Sequence, residues 1–360
     1  MRVLIVTGAY PPVKCGVGDY TFRLANALAA RPGVEVGVLT STGSRIPTDA
    51  SLVTVFHAMP NWLIRNVLQV KQIISKFRPD IVHIQYPTQG YTTRLPKFLP
   101  LFARLMGIPV VQTWHEHFTG CIVLGWPNLL ACDTLIYVRP DLPQKLPAWV
   151  RTWLDKTPVV YVPSASTIPV ASLNAEQVQH IKQELSGGKP IVCFFGFAHP
   201  NKGVERLFEI ADPAKHHLVL ICDLNDQEPY QANILRIANQ APWAGKVTVT
   251  GFQSERRVGE ILAAADAVVF PFPGGAGVWN TSLQAAKAAG AFIMATTQDT
   301  KLLDYHAQEN IYFADCDQIS DMREALSKYL GTRREPLVGN EWDKIALAHE
   351  KIYREICKEN

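Results

Sequence analysis

A chain of 360 residues exceeds the size at which one hydrophobic core stops growing, so two domains are expected. Its 48% hydrophobic and 19% charged content reads as soluble and globular, and excludes disorder except at the extreme ends. The net charge of +3 is unevenly divided: residues 1–165 carry 16 Lys+Arg and 8 Asp+Glu, giving +8, whereas residues 166–360 carry 19 and 24, giving −5; no nucleic-acid motif accompanies the basic half, so no nucleic-acid partner is expected.

The first element, "RVLIVTGA", is a continuous apolar run and predicts a buried strand. It follows Met1 directly, without the charged, apolar and small-residue regions of a signal peptide, so secretion is not expected. The helix "DYTFRLANALAA", the strand "VEVGVLTS", the helix "LIRNVLQVKQIISKF" and the strand "DIVHIQY" come next. After "FLPLFARLMG" stand the strands "PVVQTWH", "DTLIYVR" and "PVVYVPS". Strands spaced by helices of this length imply a parallel sheet with crossover helices. Lys97, Arg104 and prolines break the most apolar window well before about 18 residues, so no membrane span is predicted.

The stretch "VPSASTIPVASLNAEQ" is rich in Pro, Ser and Ala and reads as a linker. The alternation then restarts: "PIVCFFGFA", helix "VERLFEIA", "HHLVLICD", helix "YQANILRIANQ", "KVTVTGF", helix "VGEILAAA", "AVVFPF", helix "SLQAAKAAG" and "AFIMATT". A second doubly wound domain is expected, so the chain divides into residues 1–165 and 166–339. Such domains bind ligands at the carboxyl ends of their strands, here expected in a cleft between the two. A last helix, "NEWDKIALAHEKIYREICKEN", places Trp342, Ile345, Ile352, Tyr353 and Ile356 on a stripe that must pack on something.

Seven scattered cysteines form no CxxC pair, which fits reduced thiols in a cytosolic protein. His115 and His117 in "WHEHF" have no further ligands at useful spacing, so no metal site is expected.

Three turns from strand to helix carry the candidate chemistry. In "TGAYPPVKCGVGDYTF", Gly16 and Gly18 precede a helix expected near Asp19, where backbone amides can approach a phosphate. Thr21 replaces the third glycine of a dinucleotide fingerprint and no acidic ribose ligand follows, which disfavours an NAD-dependent oxidoreductase. In "CFFGFAHPNKGVERLFEIA", Lys202 adds a cation to the same arrangement. In "PFPGGAGVWNTSLQAAKAAG", Asn280, Thr281 and Ser282 stand at a helix start as amide and hydroxyl ligands for an anion. Each turn alone would equally serve as a plain cap or a solvated loop.

Taken together, "GAYPPVKCGVGDYTFRLANAL", "VQTWHEHF", "FFGFAHPNKGVERL", "VTGFQSERRVGEILAAADAVVFPF" and "WDKIALAHEKIYREI" resemble the family 4 glycosyltransferases of the GT-B fold over nearly the whole chain. The resemblance implies two Rossmann-like domains, with the last helix, residues 340–360, returning to the first. It implies a donor diphosphate held by Gly16, Gly18, His199, Asn201, Lys202, Asn280, Thr281 and Ser282, with His115 on the transferred sugar. His115 and Lys202 are the catalytic candidates, and Phe252 and Gln253 lie on the base and ribose side.

The implied reaction is retaining transfer from a nucleotide-diphosphate sugar of the UDP or GDP type to a glycan or lipid-linked acceptor. It needs no metal and no cofactor. The expected location is cytoplasmic, with peripheral contact at the inner face of an anionic membrane through the segment around Arg94, Lys97 and Arg104 as an open alternative to an ordinary crossover helix. Two departures stand out. Phe197 follows Gly196 where the family often has Arg, and the family's glutamate pair maps onto Gly277 and Ala285. These keep open the alternative of a catalytically impaired binding or scaffold subunit.

Overall fold

The computed structural model describes residues 1–43, 52–91, 93–116, 128, 129 and 131–359. They form two compact units, one of Met1–Ser164 with Asn340–Asn360 and the other of Ala165–Gly339.

The first unit runs β1 (Arg2–Val6), α1 (Gly16–Ala29), β2 (Glu35–Ser41), β3 (Val53–Met59), α2 (Val67–Phe77), β4 (Ile81–Tyr86), α3 (Leu95–Leu105), β5 (Val110–Trp114), β6 (Thr134–Tyr137), α4 (Leu142–Lys145), α5 (Ala148–Leu154) and β7 (Val159–Tyr161). Its strands lie in the order β3-β2-β1-β4-β5-β6-β7 and every pair is parallel. The order reverses between β1 and β4. Every residue of β4 and β5 is buried, which is why their sequences read as near-continuous apolar runs. The sequence reading passed over β3, an edge strand whose middle is only half-buried and whose apolar run is broken by Thr54 and His57.

The second unit runs α6 (Ala175–Ser186), β8 (Ile191–Phe195), α7 (Leu207–Ile210), β9 (His217–Ile221), α8 (Pro229–Ala238), β10 (Val247–Val249), α9 (Glu255–Ala264), β11 (Ala267–Phe270), α10 (Thr281–Ala289), β12 (Phe292–Thr297), β13 (Asp304–His306), β14 (Ile311–Asp315) and α11 (Ile319–Tyr329). The strand order is β10-β9-β8-β11-β12-β14-β13, reversing between β8 and β11, and only β13 is antiparallel. Four elements, α6, β13, β14 and α11, go beyond the sequence reading. The segment taken as linker ends in α6, whose capping box pairs Asn174 and Gln177 through both side chains. Lys182 of that helix bonds Asp266 at 2.6 Å, and Asp266 also accepts from the Ile191 amide at the start of β8.

The last helix, α12 (Glu341–Glu359), packs on α1 in the first unit. Ile345, Ala346, Ile352, Tyr353 and Ile356 are buried, and the Trp342 ring meets Tyr20 edge-on at 5.1 Å. Glu350, also buried, pairs with Arg31 and, at 2.7 Å, with Arg354.

Candidate active site

Ligands of open α/β sheets bind beyond the carboxyl ends of the strands where the strand order reverses. In the second unit that point lies between β8 and β11. The chain leaves β8 at Gly196, where φ is +147° and an added Cβ would meet Ser282 Oγ at 3.4 Å. The loop after β8 and the start of α10 are therefore neighbours. His199 caps the tight turn Pro200–Lys202: its Nδ1 lies 3.4 Å from the Asn201 amide and 3.0 Å from Asn201 Oδ1. The Lys202 ammonium sits 4.1 Å from the centroid of Phe272, just beyond β11, a cation held over an aromatic face.

Gly203 explains the next step of the chain. Its φ is +58°, and a Cβ there would stand 2.4 Å from the Pro271 carbonyl oxygen, so only glycine lets the turn close against the end of β11. This left-handed residue also corrects the predicted helix "VERLFEIA". The segment is a 3-10 turn, Val204–Arg206, followed by the four-residue α7, and the Val204 amide, which as the first of the turn has no acceptor within it, donates to the Tyr230 hydroxyl at 2.9 Å. Lys202 thus brings its own charge to the site, without a long helix dipole behind it.

Of the three residues expected at the start of α10, Asn280 is the cap, and its Oδ1 accepts from the Ser282 and Leu283 amides at 3.1 and 3.2 Å. Asn280 therefore occupies two donors that an anion would otherwise use, and the hydroxyls of Thr281 and Ser282, both half-buried, are the polar groups presented there. A Cβ on Gly277 would fall 2.1 Å from the Trp279 ring, and Ala285 is buried in the core. Both positions matched to the family's glutamates are closed to a longer side chain as the unit stands. Phe252 and Gln253 follow β10, two strand spacings or about 10 Å from β8. Phe252 is exposed, and Gln253 Nε2 donates to the Thr250 carbonyl at 2.6 Å.

In the first unit the order reverses between β1 and β4. There Gly8 and Gly90 meet backbone to backbone: a Cβ on Gly90 would stand 1.8 Å from the Gly8 oxygen. The helix α1 begins at Gly16, not near Asp19, which moves Gly16 and Gly18 from the loop into its first turn. Gly18 lies against Ala9, where a Cβ would be 3.1 Å from the carbonyl oxygen, while Gly16 faces open space. Cys15 offers no side-chain cap.

His115 follows β5 and stacks edge-on against Tyr20 of α1 at 4.8 Å. Part of its surface is accessible, but packed protein encloses the ring and pulls its pKa down to about 3, with His349 adding a smaller repulsion. Its Nε2 lies 2.7 Å from Gln85 Oε1. Gln85 Nε2 lies 3.2 Å from His83 Nε2, which also meets the Thr113 hydroxyl at 2.8 Å. His83 Nδ1 lies 2.6 Å from the Tyr353 hydroxyl of α12. Gln85, His83, Thr113, His349 and Tyr353 are buried. The sequence reading missed this chain, although polar residues at alternate positions of a buried strand, His83 and Gln85, are a visible signal. His349 and Tyr353, four apart on one helix face, are the matching one.

Among the described residues no three His, Cys, Asp or Glu side chains gather as metal ligands; His117 lies outside them. None of the described helices is long and apolar enough to cross a membrane.

Two doubly wound units with seven-stranded sheets match the GT-B fold, and the family models that cover both units make the chain a glycosyltransferase. Residues 15–168 match the family described as Glycosyltransferase Family 4, and residues 176–334 match that described as Glycosyl transferases group 1. Similar solved structures include sucrose-phosphate synthase from Thermosynechococcus elongatus, with a TM-score of 0.72, 16% identity and full coverage of both chains. Anabaena HepE in complex with UDP and glucose matches with a TM-score of 0.66, 14% identity and coverage of 100% and 99%. The catalytic domain of starch synthase IV from Arabidopsis thaliana, bound to ADP and acarbose, matches at 0.70, 14% identity and 99% of each chain. No curated protein matches the chain.

Proposed function

We propose that this glycosyltransferase moves a sugar from a nucleotide-diphosphate sugar of the UDP or GDP type to a hydroxyl of a glycan or lipid-linked acceptor, with retention. The observation that carries the reading is that, at the switch point of the second sheet, Lys202 and Gly203 lie against the end of β11 while Gly196 of the same loop lies against Ser282 of α10. The nucleotides named for HepE and the starch synthase support the donor class. As the bond from the anomeric carbon to the diphosphate oxygen breaks, negative charge grows on the leaving group, and Lys202 with the Thr281 and Ser282 hydroxyls stabilises it. The acceptor hydroxyl attacks from the same face and gives its proton to a phosphate oxygen. His115 contacts the transferred sugar, and neither a metal nor a protein nucleophile is required.

Lys202→Ala is expected to weaken UDP or GDP binding about 10- to 100-fold, the worth of one charge-assisted contact. Titration calorimetry with both nucleotides checks this, and an unchanged Kd for the nucleotide that binds the wild type rejects the phosphate role. Turnover of a nucleotide-sugar panel then identifies the donor.

The acceptor side of the proposal includes peripheral contact with an anionic membrane at the cytoplasmic face. On α3, Phe98, Leu101 and Leu105 are exposed beside Arg94 and Lys97, while Arg104 pairs with Asp133. On α5, Trp149 and Trp153 are exposed on one face around Arg151. Sedimentation with phosphatidylglycerol vesicles, but not with phosphatidylcholine, is the expected result. Replacing both tryptophans by Ala should weaken it about 10-fold or more. Binding that ignores lipid charge or both substitutions counts against this contact.

A further inference from the structure

Resting on the reading of His115 as the sugar contact, we infer that Gln85 is its positioning residue, fixing one tautomer of the imidazole through a buried chain that ends on Tyr353 of α12. An amide side chain has one accepting and one donating end, so it can serve two imidazoles only in opposite senses. Gln85 turns Oε1 to His115 Nε2 at 2.7 Å and Nε2 to His83 Nε2 at 3.2 Å. His115 must then carry its proton on Nε2 and keep the lone pair on Nδ1. With the amide so turned, His83 accepts at Nε2, whose single lone pair the Gln85 amide shares with the Thr113 hydroxyl at 2.8 Å, and its proton lies on Nδ1, 2.6 Å from the Tyr353 oxygen.

The far end of the chain is rigid. Tyr353, His349 and His83 are fully buried, and the His349 Nδ1 proton is taken by the Ile345 carbonyl at 2.8 Å. Among the described residues none bonds to Nδ1 of His115, so the lone-pair nitrogen is the one available to a sugar hydroxyl. Edge-on contact with Tyr20 fixes the ring plane, and Gln85 fixes which nitrogen is the donor. Through Tyr353, 270 residues from His83, the last helix of the chain holds the far end of this hydrogen-bonded run.

Nitrogen-15 NMR of the full chain with labelled histidine reads each tautomer directly, whatever the donor. The wild type should show His115 protonated on Nε2 and His83 on Nδ1. Gln85→Glu presents acceptors to both rings, so His83 should move its proton to Nε2 while His115 keeps its own. Gln85→Leu and Tyr353→Phe should mix the His115 tautomers. With the sugar nucleotide that the wild type turns over, Gln85→Leu should lower kcat about 100-fold with little change in KM. Protonation of His115 on Nδ1 in the wild type overturns the inference, as does an unaltered His83 in Gln85→Glu, which remains informative should Gln85→Leu fail to fold. Full activity in His115→Ala, with the NMR result as expected, overturns the sugar-contact reading instead and leaves the tautomer lock in place.

Discussion

Gly90→Ala is expected to lower the melting temperature of the first unit by roughly 6–12 °C, the effect of about 3 kcal/mol in a unit of this size. The added methyl would stand 1.8 Å from the Gly8 carbonyl oxygen and 2.2 Å from its carbon. Neither atom belongs to a side chain that could swing away, so the loops after β1 and β4 must part. Those loops form the crevice at the reversal of strand order, and Tyr91, next in the chain, anchors one to the other by donating to the Val6 carbonyl at 3.1 Å. Parting them therefore disturbs the site as well as the core. Gly16→Ala supplies the control. It sits in the first turn of α1 with open space around it, so Ala there should be neutral or stabilise by up to about 1 kcal/mol. Differential scanning fluorimetry separates the two, and a Gly90→Ala shift under about 2 °C would mean that the loops yield without cost.

The second large effect is a loss of stability in acid. Burial holds His83 well below the ordinary imidazole pKa of 6.5, His115 at about 3 and His349 at about 4. The unfolded chain binds protons at these histidines below pH 6.5 while the folded chain does not, so stability is complete above that pH and falls as the pH drops toward 4. Each histidine contributes a slope of about 1.4 kcal/mol per pH unit, and three titrating together reach about 4. Against a total of roughly 5–15 kcal/mol, the first unit should open near pH 4–5. His216 and His217 act with the same sign in the second unit, so the measurement must be local. Hydrogen exchange of the α12 amides between pH 7.5 and 4.5, extrapolated to equal intrinsic rates, provides it. His349→Phe should remove about a third of the slope. An α12 protection free energy that is flat from pH 7 to 5 would contradict the account.

Much of this was legible in the sequence because it is local. A buried parallel strand needs a run of apolar residues, and a tight turn often needs glycine, so Lys202 and Gly203 mark the turn after β8, whereas Gly16 and Gly18 belong to the first turn of α1. The cap at Asn280 follows from the same short-range chemistry. The capping box of Asn174 and Gln177 was equally readable and shows where the linker reading ran too long. The Tyr230 hydroxyl that takes the Val204 amide at the start of the turn after Lys202 comes from 26 residues away, where no local pattern shows it.

Periodicity, turn chemistry and charge act over a few residues, so the class of the fold, the positions of most strands and the basic and acidic halves follow from the order of residues alone. The meeting of Gly8 with Gly90, the Trp279 ring over Gly277 and the place of Tyr353 at the end of a hydrogen-bonded chain from His115 arise in the folded chain alone. These pairings join residues brought together by strand order and by a helix returning from the end of the chain. Their energies come from packing and from satisfying buried polar groups, which no local pattern encodes.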